Sequence, residues 1–437
     1  MSNDKIRTLG FGSTLAIVLA SVIGTGIFTS VGLVAEYVDN PTHILLLWGL
    51  GGVMTLCGAL CYAELGTVFP KSGGEYNALR KLYHPSLGFL FGWTSVVLDF
   101  PAANALTAIA LAKYLQHLVD VPTTVLAAIL VTAVTMVHAF SCKIGSRFQN
   151  STVWLKMGLI VVFLVIGYFY LNSEAPMYYE THFEKPAPID KWMIALLYVS
   201  YTFTGWSLAI YITDKVKDPV KTIPKTMVWG SVIITVLYLV IVYLFVSAVR
   251  IDDLKGHLDI GYLFSEAVLG DSYGKRFFDF LIAITLLSAL SVDIWIGPQV
   301  SMAIGRDFRM FRWLGKINKE GVPTRGYFIQ LLISLGFIFS SNFESVLLMS
   351  EFATGLFVLL TIVGVFIIRS RPSNFVIPYK TWGYPVTPLV FLVLSGAISL
   401  YILTDNFTEA VTGVFLTCLG LVFYWANQKY FPEKVKE

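Results

Sequence analysis

The run Phe11–Ala35, FGSTLAIVLASVIGTGIFTSVGLVA, holds 25 residues and no charge. About 20 apolar residues cross a bilayer as a helix. Lys5 and Arg7 precede the run, which is too long for a signal-peptide core and lacks a convincing cleavage site. It reads as a retained first span. Its centre, Ser21-Val22-Ile23-Gly24-Thr25-Gly26-Ile27-Phe28, resists continuous helix. A glycine inside a helix costs about 1 kcal/mol relative to alanine, so two around a threonine make unwinding cheap. Unwound backbone is forbidden against lipid and tolerated where it lines a cavity.

The rest of the chain agrees with a membrane setting. Of the 437 residues, 56% are hydrophobic and only 14% are charged. Mean hydropathy is +0.71. A soluble globule of this size has no way to hide that apolar surface. A net charge of +3 leaves no basic excess for phosphate contacts, which excludes a nucleic-acid partner. Neither CxxC nor HExxH occurs, so no metal site and no cofactor are expected. Cys57 and Cys61 lie one turn apart in an apolar run and read as small core residues.

Hydropathy gives twelve spans, near 11–35, 42–66, 86–118, 122–140, 152–171, 190–213, 226–249, 276–305, 326–341, 346–368, 385–404 and 408–428. Helix is the open-chain element that satisfies its own backbone in lipid, so the fold is expected to be all-α. Alternate loops share a side. One side carries 23 lysines and arginines and the other 6. That bias predicts a multi-pass cell-membrane protein with both termini in the cytoplasm.

A second interruption, Tyr201-Thr202-Phe203-Thr204-Gly205-Trp206, lies in span 6. Glycines in span 1 alone would equally serve close helix packing. The matching break five spans later makes 11–171 and 190–368 read as two halves, each opening with a broken helix. Spans 11 and 12, 385–428, then stand outside the halves. A broken helix offers free N–H groups to a carboxylate at one half-helix and free C=O groups to an ammonium at the other. A zwitterionic amino acid satisfies both.

Several stretches resemble one family. Gly24-Thr25-Gly26-Ile27-Phe28 is similar to the first-span signature of the amino acid–polyamine–organocation transporters. The run from Tyr62 to Tyr76, YAELGTVFPKSGGEY, closely resembles the motif after span 2 in the L-type amino acid transporters. Phe89-Leu90-Phe91-Gly92-Trp93-Thr94, Lys217-Asp218-Pro219 and Ile223-Pro224 match as well, so the resemblance covers nearly the whole chain. It implies a LeuT-type fold, a 5+5 inverted repeat with broken helices 1 and 6 plus two extra helices. It also implies sodium-independent exchange of amino acids by alternating access. Ile23, Gly24, Thr25 and Gly26 would hold the α-carboxylate and α-amino groups, with Tyr201, Thr202, Phe203 and Thr204. Tyr201 falls where the family has an aromatic gate. Animal members join a glycoprotein through a cysteine between spans 3 and 4. Here Leu118 to Thr123 has none, so no disulfide-linked heavy chain is expected.

Charges inside spans are functional hypotheses by default. In the resemblance, Lys156 of span 5 takes the place of a sodium ion, tying the span-1 break to Ser288 and Ser291 of span 8. A snorkelling lysine is the plain alternative. Asp99 in span 3 and Asp293 in span 8 depart from the family pattern and suggest proton coupling or side-chain selection. Asp293 is expected to point away from the Ser288 and Ser291 face, making it a poor partner for Lys156. Glu351 in span 10 is expected to reach water near the outer end, and Glu64 to pair with a basic loop residue. The leading reading is an exchanger of small or medium neutral amino acids. A proton-coupled transporter of cationic amino acids or polyamines is the alternative, and a non-transporting amino-acid sensor is the rival from another class. No nucleophile–base pair points to an enzyme.

Overall fold

The computed structural model describes residues 9–70, 74–116, 119–173, 177–179, 187–270, 272–340, 342–371 and 375–431. The expectations for Lys71-Ser72-Gly73 and Leu118 fall outside these residues, as does the Cys142 side chain. Among the described residues the regular structure is helical, with one isolated bridge between Leu9 and Val216.

Among the described residues ten helices are long and apolar enough to cross a bilayer, and a bent pair makes an eleventh. The continuous ones are Pro41–Val68, Pro85–Gln116, Thr123–Phe140, Lys143–Leu171, Pro219–Ala248, Phe280–Asp307, Phe343–Ser370, Val386–Asp405 and Phe407–Tyr430. They match expected spans 2, 3, 4, 5, 7, 8, 10, 11 and 12. The expected ninth span is the apolar helix Thr324–Ser340, whose 17 residues rise about 25 Å. That is shorter than the roughly 30 Å hydrocarbon core.

Spans 1 and 6 are broken where the glycines predict. Span 1 consists of Phe11–Val22 (1a) and Gly26–Ala35 (1b). Span 6 consists of Ile189–Thr202 (6a) and a 3-10 segment, Trp206–Lys215 (6b), and bends by 41°. Gly205 opens 6b at φ +102°, a left-handed conformation that glycine adopts without steric strain.

The two breaks press on each other. A Cβ on Gly26 would lie 2.5 Å from Thr202 Cα, and one on Gly205 would lie 2.6 Å from Ser21 Oγ. The start of 1b therefore sits on the end of 6a, and the start of 6b sits on the end of 1a. Glycine serves here as much for close approach as for unwinding. Gly24 is different: a Cβ there would meet Ala289 at an ordinary 3.5 Å.

Span 3 carries an unanticipated irregularity. Ser95–Asp99 forms a π-turn in which the Phe100 N–H donates to Ser95 O, five residues back. Pro101 follows, and its ring excludes the carbonyl four residues before it, so the helix widens there.

Charged ties fasten the ends of the spans. Glu64 is fully buried and accepts from Arg369 Nε at 2.7 Å, Arg369 Nη2 at 2.9 Å and the Thr381 N–H at 2.7 Å. Its partner thus lies at the end of span 10, with the loop contributing the backbone N–H. Asp307, at the end of span 8, accepts from Tyr76 Oη at 2.6 Å and Arg80 Nη1 at 2.5 Å. Leu9 clips to the segment after 6b through Leu9 N–H to Lys215 O, 3.0 Å, and Lys217 N–H to Leu9 O, 2.8 Å.

Forcing a methyl group into an occupied contact costs about 1–3 kcal/mol. Gly26→Ala is therefore expected to lower the thermal midpoint in detergent clearly, and Gly24→Ala to leave it near wild type. Equal midpoints for the two variants would refute the close-approach role of Gly26.

Candidate functional site

The end of 1a exposes carbonyls that have no partner within the helix. The protein fills most of them itself. Lys156 Nζ donates to Ala20 O at 2.8 Å and to Ile23 O at 2.5 Å. Tyr238 Oη donates to Val22 O at 2.7 Å. Lys156 is fully buried, which excludes snorkelling. A buried ammonium loses several kcal/mol of hydration. Charge-assisted bonds return about 1.5–3 kcal/mol each, so the break and the lysine sustain each other.

The expected link from Lys156 to span 8 takes another form. Ser291 Oγ donates to Gln149 Oε1 at 2.5 Å and pairs with His138 Nε2 at 2.8 Å. Ser288 Oγ is buried without a hydrogen-bond partner among the described residues. Neither serine holds the ammonium. Asp293 is instead the acid whose field reaches Lys156, without an ion pair between them within 4.0 Å. Helical periodicity points Asp293 away from the Ser288 side. A field needs no shared face, only short distance through low dielectric.

The residues named from sequence occupy different roles around the breaks. Thr25 Oγ1 and Tyr201 Oη are hydrogen-bonded at 2.8 Å, closing one break over the other. Tyr201 also meets Phe343 edge to face at 6.5 Å. The first turn of 1b, from Gly26, leaves N–H groups unbonded within the helix, as any helix start does. Thr202 is buried and donates to Tyr198 O at 3.0 Å within its own helix. Phe203 is buried in the core against Tyr238, with ring centroids 5.2 Å apart. Thr204 turns the other way and donates to Glu351 Oε1 at 3.5 Å.

Glu351 and Thr204 face a cavity of about 150 Å³ between spans 2, 3, 6, 10 and 11. Glu351 is half-buried there, and its partner Thr204 is exposed. Asp99 and Glu75 line the same cavity. Asp99 sits at the end of the span-3 π-turn, which re-aims that stretch of helix. Glu75 starts the helix Glu75–Leu82 and is 3% exposed. Burial raises the Glu75 carboxyl above its ordinary range, against the bonding pull of the Tyr211 hydroxyl. Its motif was recognised in the sequence, but its inward position was not. No periodicity marks one glutamate at a helix start as interior.

A second cavity, of about 270 Å³, lies between 6b and span 8 and is lined by Lys215, Trp295, Gln299 and Arg306. Tyr211 lines both cavities and separates the acidic one from the basic one. Among the described residues no group of three His, Cys, Asp or Glu side chains is placed to share a metal ion.

A family model described as "Amino acid permease" matches residues 9–424. The chain is 24% identical over 433 residues to the b(0,+)-type amino acid transporter 1 of Mus musculus, covering 96% of this chain and 87% of that protein. It is 24% identical over 422 residues to the cystine/glutamate transporter of Homo sapiens, with 94% and 83% covered. It is 25% identical over 456 residues to the large neutral amino acids transporter small subunit 2 of Mus musculus, with 98% and 84% covered. Two facing broken helices inside an all-helical membrane protein, matched across nearly its full length, place this chain in the amino acid permease family, as a multi-pass amino acid transporter.

Proposed function

We propose that the chain is a sodium-independent exchanger of small or medium neutral amino acids, working by alternating access. The observation that carries this reading is Lys156. Its ammonium already occupies the carbonyls at the end of 1a, where a cation would otherwise bind. The remaining polar groups at the breaks are the first N–H groups of 1b and the Thr25 and Tyr201 hydroxyls, which suit an α-carboxylate. The relatives' names span cystine, glutamate and large neutral amino acids. Such substrates share only their α-groups, and a site built from backbone reads those groups alone.

In this reading 11–171 and 190–368 are inverted halves that rock against each other, with 385–428 outside them. The lysine and arginine bias supports a cell-membrane protein with cytoplasmic termini. One relative is called a small subunit, a name that puts a second chain in play for that protein. The sequence from Leu118 to Thr123 has no cysteine, which supports action without a disulfide-linked heavy chain here. A lone band of monomer mass on a non-reducing gel of native membranes is the expected result; a reducible higher-mass band would overturn it.

The acidic cavity beside Thr204 favours the second reading, proton coupling or a cationic substrate. Labelled uptake into liposomes loaded with neutral amino acids separates the readings. Uptake is expected to need internal amino acid and to be unchanged when sodium is replaced. An absolute sodium requirement would overturn the proposal. Binding without any uptake would make the chain a sensor.

Removing the ammonium tests its role directly. Lys156→Met should slow exchange at least about tenfold, the rate equivalent of about 1.4 kcal/mol. A merely space-filling side chain would leave exchange near wild type.

Tyr201→Phe keeps the ring and deletes the bond to Thr25. Exchange is expected to fall several-fold while equilibrium binding falls less, because closure follows arrival of the substrate. Equal losses in both would make Tyr201 a wall of the pocket and not a gate.

A further inference from the structure

Four side-chain donors border the cavity between 6b and span 8. Lys215 stands at the end of 6b. Trp295, Gln299 and Arg306 follow along span 8 at helical spacing, which puts them on one face of that helix. Lys215, Trp295 and Gln299 are half-buried and Arg306 is exposed, so the four are within reach of a ligand. The cavity measures about 270 Å³, close to the lower bound of about 300 Å³ for small-ligand pockets. Among the described residues no aspartate or glutamate lines it. No described residue of span 1 lines it either, and none from Tyr201 to Gly205, so it is separate from the junction of the two breaks.

The protein supplies these donors with few acceptors. Lys215 Nζ lies over the Trp295 ring, 5.7 Å from its centre, and makes no ion pair with the described residues. Arg306 Nη2 donates to Met302 Sδ at 3.4 Å, a weak acceptor one turn back in the same helix. The carboxylate next to it, Asp307, is taken by Arg80 and Tyr76. Neither the Gln299 amide nor the Trp295 indole N–H has a hydrogen bond to the described residues. A cation in the last turn of a helix offsets the carbonyl end of the dipole, and Lys215 and Arg306 both stand in last turns. That accounts for each charge separately. It does not account for a lysine laid across the cavity on a tryptophan of span 8, nor for two uncharged N–H donors lining the same space. Two cations bordering one low-dielectric space repel each other, and an oxyanion between them turns repulsion into attraction.

We propose that this cavity is an oxyanion site, taking a phosphate or carboxylate group that bridges 6b and span 8. Lys215 supplies a point charge, and Arg306 a planar fork that fits two oxygens of one group. Gln299 and the Trp295 indole donate to the oxygens that remain. An oxyanion accepts charge-assisted bonds and so displaces the ring face as the partner of Lys215. The site lies on the side of the chain that carries the excess of lysine and arginine. Two sources offer the chemistry there: a soluble anion such as inorganic phosphate, and the headgroup of an anionic phospholipid.

Labelling of Lys215 tests the site. Purified full-length protein is placed in nanodiscs of phosphatidylcholine and treated with a trace of an amine-acetylating reagent, and the rate at each lysine is read by peptide mass spectrometry. Lys217 and Lys221, exposed shortly after Lys215, are internal references. No amino acid is present, so the result does not depend on whether the chain exchanges. Inorganic phosphate at about ten times its half-protecting concentration is expected to slow Lys215 about tenfold relative to the references. With phosphate left out, phosphatidylglycerol in the nanodisc slows Lys215 in the same way if a lipid headgroup is the source. Selective slowing by either probe supports the site and identifies its source. Arg306→Gln is expected to raise the half-protecting concentration of the effective probe at least about tenfold, with the reference lysines unchanged as the sign of an intact fold. Gln299→Leu keeps both charges, removes one donor and is expected to weaken protection several-fold. An unchanged Lys215 rate with both probes would overturn the site. Equal slowing of all three lysines would overturn it as well, since that is general screening. So would wild-type protection in both variants, because the anion would then not be held across the cavity.

Discussion

The structure turns on one buried ammonium. Lys156 sits at the end of a helix that stops in the membrane interior, donating to Ala20 and Ile23 carbonyls. Stopping a helix there strands carbonyls that lipid has no way to satisfy. Burying a lysine there strands a charge. Each defect is tolerable only because of the other. The Val22 carbonyl, bound by Tyr238, completes the arrangement from span 7. The break in span 1 is therefore a fixed feature held from spans 5 and 7.

The second break depends on the first by contact. Gly26 lies on Thr202 and Gly205 lies on Ser21, so neither position has room for a side chain. The Thr25–Tyr201 bond adds a polar tie across the same junction. The result is one junction made from two half-helix ends and two half-helix starts. The polar groups it presents are the first N–H groups of 1b and the Thr25 and Tyr201 hydroxyls. The acidic cavity lies on the far side of span 6, where side chains rather than backbone set the chemistry. Span 6 thus separates the junction of the two breaks from a cavity lined by Glu75, Asp99 and Glu351.

The ends of the spans are fastened by a different kind of contact. Glu64 with Arg369, and Asp307 with Arg80 and Tyr76, join chain segments far apart in sequence. These ties bind spans 2 and 10, and the helix after span 2 to span 8. They leave the junction itself to hydroxyls and backbone, groups that exchange partners more readily than buried ion pairs.

The sequence by itself determined the membrane class, the helical fold, the approximate spans and the place of both breaks. Each follows from local composition: long apolar runs, and glycines beside a polar residue inside them. Motif likeness added the family, and with it the buried lysine. The tertiary structure alone decided which groups meet. Lys156 takes carbonyls of span 1 and not Ser288 or Ser291, because side-chain reach depends on how spans 5, 1 and 8 are arranged. Phe203 turns into the core and Thr204 into the cavity, one residue apart, because the break ends helical periodicity there. Glu75, Asp99 and Glu351 share a space because three elements separated by up to 276 positions converge. Periodicity assigns a residue to a face of its own helix. It carries no information on what stands opposite, and charge in a low-dielectric interior is decided by what stands opposite.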